Sequence, residues 1–446
     1  LDMTTTAQKV AVSIINGRIS PINDAKEQKY LMYLWNNMFI CIAGDSPNHY
    51  REFGGDIACH VSAGLDLHAI HYLNTLNMSN LYLLGTTIVD YHGYRLVVQL
   101  VFPGIFHRNT TQALDNGSVN HGKSIFINNS FQELAKTITE KLHFVPQKYI
   151  DNSGKEYELF LSIETKGVLG TDNRRYFLDF YKFFPPDPAF ISSDLEFLKS
   201  DQEIFPCKFE QAGDIVNKNG FQFPKKYPYR LACFRPELLS FLFAQQEQIE
   251  NLNYKNSAST VEVLLTSTEA KSTSISILNN CFVAKFSSDC FDTELRRPQS
   301  EKQNVIECRN CVRQISSFMV SEKIPIFIST LINNSMSYIF DHDSLTETLH
   351  EEGINIRYIG YMAHLCKAME KSCFIFILFI MEMICRSVKH IFRYLLTKIE
   401  KTQTPCMIAY FINCFLGSNL KPKLLLPVGT KNKYSKAKQI KSTPYQ

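Results

Sequence analysis

The chain has 446 residues, of which 45% are apolar and 20% are charged, and it is long enough for two or three domains. Its formal net charge of +4 permits an acidic partner but does not require one, so charge alone assigns no nucleic-acid-binding role. Thirteen cysteines without a regular framework argue against a disulfide scaffold and indicate a reducing compartment. The opening residues, LDMTTTAQKVAVSIING, lack the charged and apolar regions of a signal peptide.

The first third of the chain combines predicted helices and strands. The apolar run from Lys29 to Ala43 predicts a buried helix. Two runs rich in β-branched and aromatic residues, Leu81–Asp90 and Tyr94–Phe102, are joined by Tyr91-His92-Gly93 and predict a β-hairpin. The residues from Phe131 to His143 have the pattern of a helix. The predicted fold class is therefore α+β.

The segment from Lys166 to Pro188, KGVLGTDNRRYFLDFYKFFPPDP, combines a polar turn with a long aromatic run. We expect a strand, a turn and a second strand between Val168 and Phe184, because Asp and Asn favour turns. Lys166, Arg174 and Arg175 lie beside tyrosines and phenylalanines, and cations with aromatic rings are the groups that bind RNA phosphates and bases. Packing is the alternative interpretation of the rings, since an alternating strand buries one aromatic face in any case.

Changes in composition divide the chain into four parts. We predict a first domain over residues 1–255, which includes a helix from Leu231 to Asn251. A linker or insertion rich in Ser and Thr follows over residues 256–304, and an α-helical domain follows over residues 305–420. The tail over residues 421–446 has seven lysines and no acidic residue, so we expect disorder and either contact with RNA or lipid or simple solvation.

The helical half contains a strongly apolar run from Cys373 to Cys385. Thirteen residues interrupted by Glu382 fall short of the roughly 20 that a membrane helix needs. The run therefore predicts a buried helix, and we expect no transmembrane segment in the chain.

The residues from Asp343 to Leu365 predict a hairpin of two helices. Ser344 and Glu347 match a capping box at the start of the first helix. Gly353 suits the end of that helix, and Asn355 suits the cap of the next one. A DNA-binding helix-turn-helix is the alternative, but plain helical packing is the favoured interpretation.

The sequence lacks the usual motifs of a nucleophilic hydrolase and of a zinc protease. It contains no GxSxG or HExxH pattern. Cys308 and Cys311 form a lone CxxC pair, and Asp66, His68 and His71 lack a clear further ligand. We therefore expect no enzymatic activity, no catalytic residue, no metal site and no cofactor.

A kinase-like scaffold is an alternative for the first domain. Asp179 and Phe180 at the end of a predicted strand resemble the metal-binding Asp-Phe step of kinase-like folds. Gln99 stands where such folds carry the lysine that contacts ATP, and glutamine cannot supply that cation. This reading therefore predicts a degenerate, nucleotide-binding remnant rather than an active kinase.

Several motifs, taken together and in order, resemble those of the clustered mitochondria (Clu) family. The segment from Lys166 to Asp187 resembles the most specific pattern of the family, with Lys182 where an arginine is common. Further matching stretches are Leu34–Asn37, His49–Asp56, Leu84–Ile105, Tyr229–Leu238, Leu345–Gly360, Arg386–Arg393 and Asn413–Ser418. Members of this family usually carry N-terminal ubiquitin-like segments and C-terminal tetratricopeptide repeats, which this sequence lacks, so we expect a fragment or a reduced homologue.

The resemblance implies a non-enzymatic, cytoplasmic protein that distributes mitochondria within the cell. It also implies binding to mRNAs of nuclear-encoded mitochondrial proteins, association with a translation initiation complex or ribosome, and indirect contact with the outer mitochondrial surface. A protein-interaction scaffold without direct RNA binding is the alternative. The candidate RNA-binding residues, all basic and all within matched motifs, are Lys166, Arg174, Arg175, Arg95, Arg230, Arg357, Lys389 and Arg393.

Overall fold

The structure is a computed structural model that describes eight stretches of the chain. They are residues 2–46, 49–50, 53–105, 114–190, 231–244, 286–333, 342–367 and 373–416. Helices and antiparallel sheets are both present, which confirms the predicted α+β class. Arg230, most of the predicted linker and the basic tail lie outside the described residues.

A four-stranded antiparallel sheet and one helix form the N-terminal layer. Helix α1 (Met3–Ile15) precedes strands β1 (Met32–Trp35) and β2 (Met38–Ile42), and the completed sheet has the order β1-β2-β5-β4. The prediction of a helix from Lys29 to Ala43 was wrong, because this stretch forms the β1–β2 hairpin. Burial alternates along β2, and a nearly continuous apolar run hides that two-residue period.

The hairpin predicted between Leu81 and Phe102 is confirmed. Helix α2 (Asp56–Thr75) and a short strand β3 (Tyr82–Leu83) precede strands β4 (Thr86–Tyr91) and β5 (Tyr94–Leu100). The two turn residues, His92 and Gly93, have φ angles of 48° and 82°. Positive φ at both central positions is the geometry of the tight hairpin turn that matches strand twist.

Small hairpins and one helix connect this layer to the segment from Lys166 to Asp187, which we call the signature segment. They are β6 (Gly117–Val119), β7 (Ser124–Phe126), α3 (Asn129–Lys141), β8 (Gln147–Ile150), β9 (Glu156–Leu159), β10 (Lys166–Leu169) and β11 (Arg175–Leu178). Strands β10 and β11 pair antiparallel, and β11 continues in parallel with β3, so the predicted strand, turn and strand are confirmed. Helix α3 confirms the helix predicted from Phe131. Asn173 occupies the turn with a φ of 59°, a conformation that Asn tolerates well.

The second half of the described chain is helical. After a helix over residues 236–244 come α4 (Lys302–Phe318), α5 (Ile324–Asn333), α6 (His342–Glu351), α7 (Ile359–Lys367), α8 (Cys373–Leu396) and α9 (Thr404–Leu416). Gly353 has a φ of 71° just after α6, and the side chain of Asn355 accepts a hydrogen bond from the backbone of Arg357, as predicted. The predicted capping box is displaced, because α6 begins at His342 and Ser344 lies inside its first turn.

One continuous core joins the signature segment to the helices. It contains Phe177, Phe180 and Phe183, which follow one another along the aromatic run, together with buried residues of α4 to α8. The aromatic face of the signature segment therefore lies in the core, which is the packing interpretation of the rings made from the sequence. Helix α8 buries Ile375 and Phe379 in this core but exposes its opposite face, so the predicted buried helix is buried on one side only.

Among the described helices, the stretch Gln299–Asn333 is long and apolar enough to cross a membrane by length and composition. Half of its most apolar window is buried inside the protein. The core helix of a soluble protein has the same properties. Helix α8, which contains the apolar run from Cys373 to Cys385, does not meet this criterion of length and composition.

Candidate functional site

A cavity of about 850 Å³ opens where the signature segment meets the β6–β7 turn. This volume lies within the range of roughly 300–1,000 Å³ that is typical of ligand pockets. Its wall contains aromatic rings and several cationic side chains. The lining includes His49, Phe53, His121, Lys123, Glu164, Lys166, Lys182, Phe291, Asp292 and Arg296.

Four side chains in the cavity wall form a charge cluster, which consists of His121, Glu164, Lys182 and Asp292. The Nδ1 atom of His121 lies 2.6 Å from Glu164, and its Nε2 atom lies 3.2 Å from Asp292. The amine of Lys182 lies 3.2 Å from the Asp292 carboxylate and 3.9 Å from the Glu164 carboxylate. Two cations therefore face two carboxylates, and the cluster is balanced when all four groups are charged.

The environment keeps these four groups charged at neutral pH. Hydrogen bonds to Asp292 and Glu164 raise the pKa of His121 to about 9. Burial opposes ionisation of Glu164, but the hydrogen bond from His121 and the charge of Lys182 outweigh it and bring its pKa to about 2. Burial likewise opposes ionisation of Asp292 and Lys182, yet the opposite charges lower the pKa of Asp292 and raise that of Lys182.

Backbone conformation aims His121 at the two carboxylates. Asn120, His121 and Gly122 have φ angles of 53°, 56° and 81° in the turn between β6 and β7. Glycine adopts positive φ freely, and Asn and His are among the residues that occupy this left-handed region most readily, but two consecutive non-glycine residues there still store some strain. Strain of this kind concentrates where a side chain must be held in one position, which supports a functional role for this turn.

A buried carboxylate fixes the segment that supplies Asp292. Asp289 accepts hydrogen bonds from the Tyr149 hydroxyl at 2.9 Å, the Ser162 hydroxyl at 2.9 Å and the Ile163 backbone at 2.8 Å. Burial raises the pKa of Asp289, and the charge of Lys182 and the hydrogen bonds from Ile163 and Ser162 oppose that rise. The C-terminal end of the Ser/Thr-rich stretch is therefore anchored into the first half of the chain.

His49 and Phe53 line the cavity close to the charge cluster. The Nε2 atom of His49 lies 2.6 Å from the hydroxyl of Tyr181, and burial lowers the pKa of His49. The ring of Phe53 lies 4.9 Å from the amine of Lys182, which is a cation–π contact. The cavity wall therefore presents a neutral imidazole and an aromatic ring beside the charge cluster.

The three basic residues predicted from the signature segment do not form one patch. Lys166 lines the cavity and pairs with Asp179, while Arg175 lies at the other end of the hairpin and donates to the Ser130 hydroxyl at 2.9 Å. Arg174 is mostly exposed beside the turn, with its guanidinium 4.9 Å from the centre of the Tyr82 ring. Only Lys166 belongs to the cavity.

The structure brings together two candidates from opposite halves of the chain. Arg95 binds both oxygens of Asp90 at 2.7 and 2.8 Å and donates to the backbone oxygen of His60 at 2.9 Å. Arg393 of α8 contacts the ring of the same His60. Burial and the two guanidinium charges lower the pKa of His60 to about 3, so it stays neutral.

The last two candidates lie apart from both groups. Lys389 is exposed on α8, and Arg357 is half-buried near the carboxylate of Asp187. Burial raises the pKa of Asp187 to about 6 despite a 2.6 Å hydrogen bond from the Tyr358 hydroxyl.

No metal site is present among the residues that the structure describes, since no three His, Cys, Asp or Glu side chains there have ligand geometry. The positions suggested by the kinase-like reading carry other contacts. Asp179 pairs with Lys166, and Gln99 donates to the Thr86 hydroxyl at 3.1 Å. The nucleotide-binding alternative stays a prediction.

Sequence reasoning missed four of the site residues, namely His49, His121, Glu164 and Asp292. Lys182 was noted only as a substitution within the signature segment. The four come from separate stretches up to residue 292, so their spacing in the sequence carries no common period. Two local signals could have singled out His121. One is Asn-His-Gly in a short turn. The other is the pattern GxxxxGK[ST], which residues Gly117–Ser124 match and which the sequence analysis overlooked. The structure forms this stretch as the β6–β7 hairpin and not as the strand, loop and helix of a phosphate-binding loop.

Comparisons with known proteins show which family the chain resembles. Residues 1–190 match the family model described as Clustered mitochondria. The "Clustered mitochondria protein homolog" of Homo sapiens is 28% identical over 99% of this chain, and that of Xenopus tropicalis is 29% identical over 94%. The chain is similar to the clustered mitochondria family over nearly its whole length.

The matched residues 1–190 include the signature hairpin of β10 and β11 and three of the four residues of the charge cluster. The "Protein clueless" of Drosophila willistoni is 27% identical over 99% of this chain. The chain spans about a third of the length of these relatives, 35% to 37%. Residues 336–445, which include α6 to α9, match the family model Translation initiation factor eIF3 subunit 135. No solved structure matches the chain.

Proposed function

We propose that this chain is a non-enzymatic, cytoplasmic factor that supports the distribution of mitochondria by binding mRNA of mitochondrial proteins. Similarity to the Clu family and the names of its relatives support the role in mitochondrial distribution. The observation that carries the RNA-binding part is the cavity beside the signature hairpin.

The chemistry of the cavity suits an unpaired nucleotide of a single-stranded RNA. Lys123, Lys166 and Arg296 line it and provide cations of the kind that bind phosphates. Phe53 and Phe291 line the same cavity and provide rings of the kind that stack on an unpaired base. Because the charge cluster is balanced internally, it rigidifies the wall. The amine of Lys123 is exposed and forms no ion pair with any residue that the structure describes, so it can bind a phosphate without losing another contact.

A salt titration with matched variants tests this proposal. We expect a labelled single-stranded RNA to bind at low salt, with a log–log slope of about −0.7 for each phosphate contact. The double variant Lys123→Gln and Arg296→Gln should weaken binding and reduce the slope by one to two contacts. The matched control Arg174→Gln and Arg175→Gln changes two arginines outside the cavity and should bind nearly as wild type.

Two results would overturn the proposal. Absence of binding by the wild-type chain at low salt would exclude direct RNA binding by this chain. Loss of binding in the hairpin variant, with the cavity variant unaffected, would move the interface to the turn of Arg174. Crosslinking to RNA in cells with mapping of the crosslinked peptides provides the independent check, and we expect peptides that contain Lys123 or Arg296.

A second candidate function is association with the translation machinery. The observation that favours it is the match of residues 336–445 to the model Translation initiation factor eIF3 subunit 135. Co-sedimentation of the chain with initiation complexes after RNase treatment would distinguish direct association from tethering by mRNA. A complex that disappears after RNase treatment would leave RNA binding as the sole link.

A further inference from the structure

Helix α8 carries an apolar stripe that no other described part of the chain covers. Its members are spaced alternately by three and four residues: Phe374, Ile377, Met381, Ile384, Val388, Ile391 and Leu395. Five of them are exposed by 59%, 50%, 53%, 39% and 53% in that order, with Val388 and Leu395 half-buried. We call this set the α8 seam.

The spacing of the α8 seam is that of a helix made to pair with another helix. A strict 3.5-residue repeat is the narrow seam of a coiled coil, whereas a helix that packs on a globular core needs a broader face. Helix α8 already has that second face, because Ile375, Phe379 and Glu382 on its other side are buried. The α8 seam is therefore additional to the core packing of the helix.

We propose that the α8 seam pairs with the α8 seam of a second copy of this chain, antiparallel and centred on Ile384. The spacing of three, four, three, four, three and four becomes four, three, four, three, four and three from the other end, so an antiparallel copy centred on Ile384 matches each layer to within one residue, a rise of about 1.5 Å. Phe374 then meets Leu395, Ile377 meets Ile391, and Met381 meets Val388. Self-complementarity of this kind is what a two-fold interface requires.

Residues beside the centre permit a close approach of the two helices. Cys385 and Ser387 flank Ile384 on the exposed side and are small. Tyr394 is 62% exposed next to the outer layers and can cover them. With about 200 Å² for a fully exposed large side chain, the five exposed seam residues and Tyr394 together present roughly 600 Å² per copy. A pair would bury about 1,200 Å², the lower limit of a standard stable interface.

The charges on α8 favour the antiparallel over the parallel arrangement. Its exposed basic residues are Lys389 and His390, and its one carboxylate, Glu382, is buried with Arg386 at 2.5 Å. A parallel pair would place Lys389 level with its own copy, where the two like charges repel weakly through solvent. An antiparallel pair places Lys389 level with the apolar residues 378–380.

Light scattering after size exclusion tests whether the chain pairs through this seam. We expect wild-type protein at micromolar concentrations to have a mass of about twice 51.3 kDa. Ile384→Glu places two carboxylates against each other at the centre and should reduce the mass to that of one copy. The matched control is Ile326→Glu, the same change at a 49% exposed isoleucine of α5, which should leave the dimer intact.

Crosslinking tests the direction of pairing. A thiol-reactive bismaleimide should join Cys385 to Cys385 of the second copy, identified by mass spectrometry of the joined peptides, and Cys385→Ser should abolish that product. A mixture of Ile377→Cys and Ile391→Cys chains should crosslink between the two variants, whereas each variant alone should not join its own introduced cysteines.

Three results would overturn the proposal. A single-copy mass at all concentrations would mean that a helix of another protein, or of a longer form of the chain, occupies the α8 seam. A dimer that survives Ile384→Glu would place the contact elsewhere. Joined introduced cysteines in Ile377→Cys alone would establish parallel pairing. None of these results bears on RNA binding, which the cavity variants test separately.

Discussion

The charge cluster makes one quantitative prediction about stability, which concerns Lys182→Met. Lys182, Glu164 and Asp292 have side chains that are only 9%, 5% and 11% exposed. Methionine preserves the length and packing of the lysine stem but removes the cation. Two buried carboxylates would then face the single imidazolium of His121, which leaves one negative charge without a partner.

The expected cost follows from burial. Removing one partner of a buried ion pair typically costs about 3–5 kcal/mol, because the remaining charge is desolvated and unpaired. The matched control is Lys166→Met, which removes another paired lysine of the same cavity. Its ion pair with Asp179 has side chains that are 27% and 46% exposed, and exposed pairs contribute about 1 kcal/mol or less.

Urea unfolding, followed by circular dichroism and by the fluorescence of the single tryptophan Trp35, measures the difference. With a slope of about 3 kcal/mol per molar urea, Lys182→Met should lower the midpoint by about 1 M or more. Lys166→Met should lower it by at most a third of that. The deficit of Lys182→Met should shrink on acidification, because an unpaired carboxylate there can take up a proton. Equal losses in the two variants would refute the argument from burial.

Three further predictions concern stability. Hydrogen bonds raise the pKa of His121 in the folded chain to about 9 from 6.5, so its stabilising contribution is full below pH 6.5 and is lost as the pH rises through 9. The melting temperature should therefore decline at alkaline pH, and His121→Gln should flatten this decline. A decline that is unchanged in the variant would contradict the role of His121. Burial raises the pKa of Asp66 to about 7, although its carboxylate accepts a 2.6 Å hydrogen bond from the Phe180 backbone. The charged form of Asp66 therefore costs increasing stability from pH 3.8 to above 7. Asp66→Asn keeps an oxygen that can accept this hydrogen bond, and it should raise the melting temperature at pH 8 more than at pH 5. At Gly353, where φ is +71°, an added Cβ would lie 2.5 Å from the Leu238 backbone nitrogen. At Gly154, φ is +85° and the space is open, so Gly154→Ala should cost about 1 kcal/mol of backbone strain. Gly353→Ala should cost clearly more, and equal melting temperatures of the two variants would contradict the steric argument.

Local signals in the sequence predicted several elements correctly. The β4–β5 hairpin, the signature hairpin and α3 all follow patterns that neighbouring residues determine, namely alternation, turn residues and helical period. The stretch from Lys29 to Ala43 failed for the same reason, because its apolar residues fit either period. The choice of a hairpin was made by pairing with β5, which lies more than fifty residues away in the chain.

The sequence by itself determined the resemblance to the Clu family, the α+β class and the aromatic signature segment, because motif order and local periodicity are properties of the chain. Only the tertiary structure decided where the basic candidates lie and what they contact. Lys166, Arg174 and Arg175 are neighbours in the chain, yet the hairpin separates Lys166 from the two arginines.

The charge cluster was likewise decided by the tertiary structure. His121, Glu164, Lys182 and Asp292 come from four stretches of the chain, and burial, together with distances of a few ångströms, gives them their pKa shifts. Charge in the sequence is a count, whereas the energy of a charge depends on its desolvation and its distance from other charges, and only the folded chain sets these two quantities.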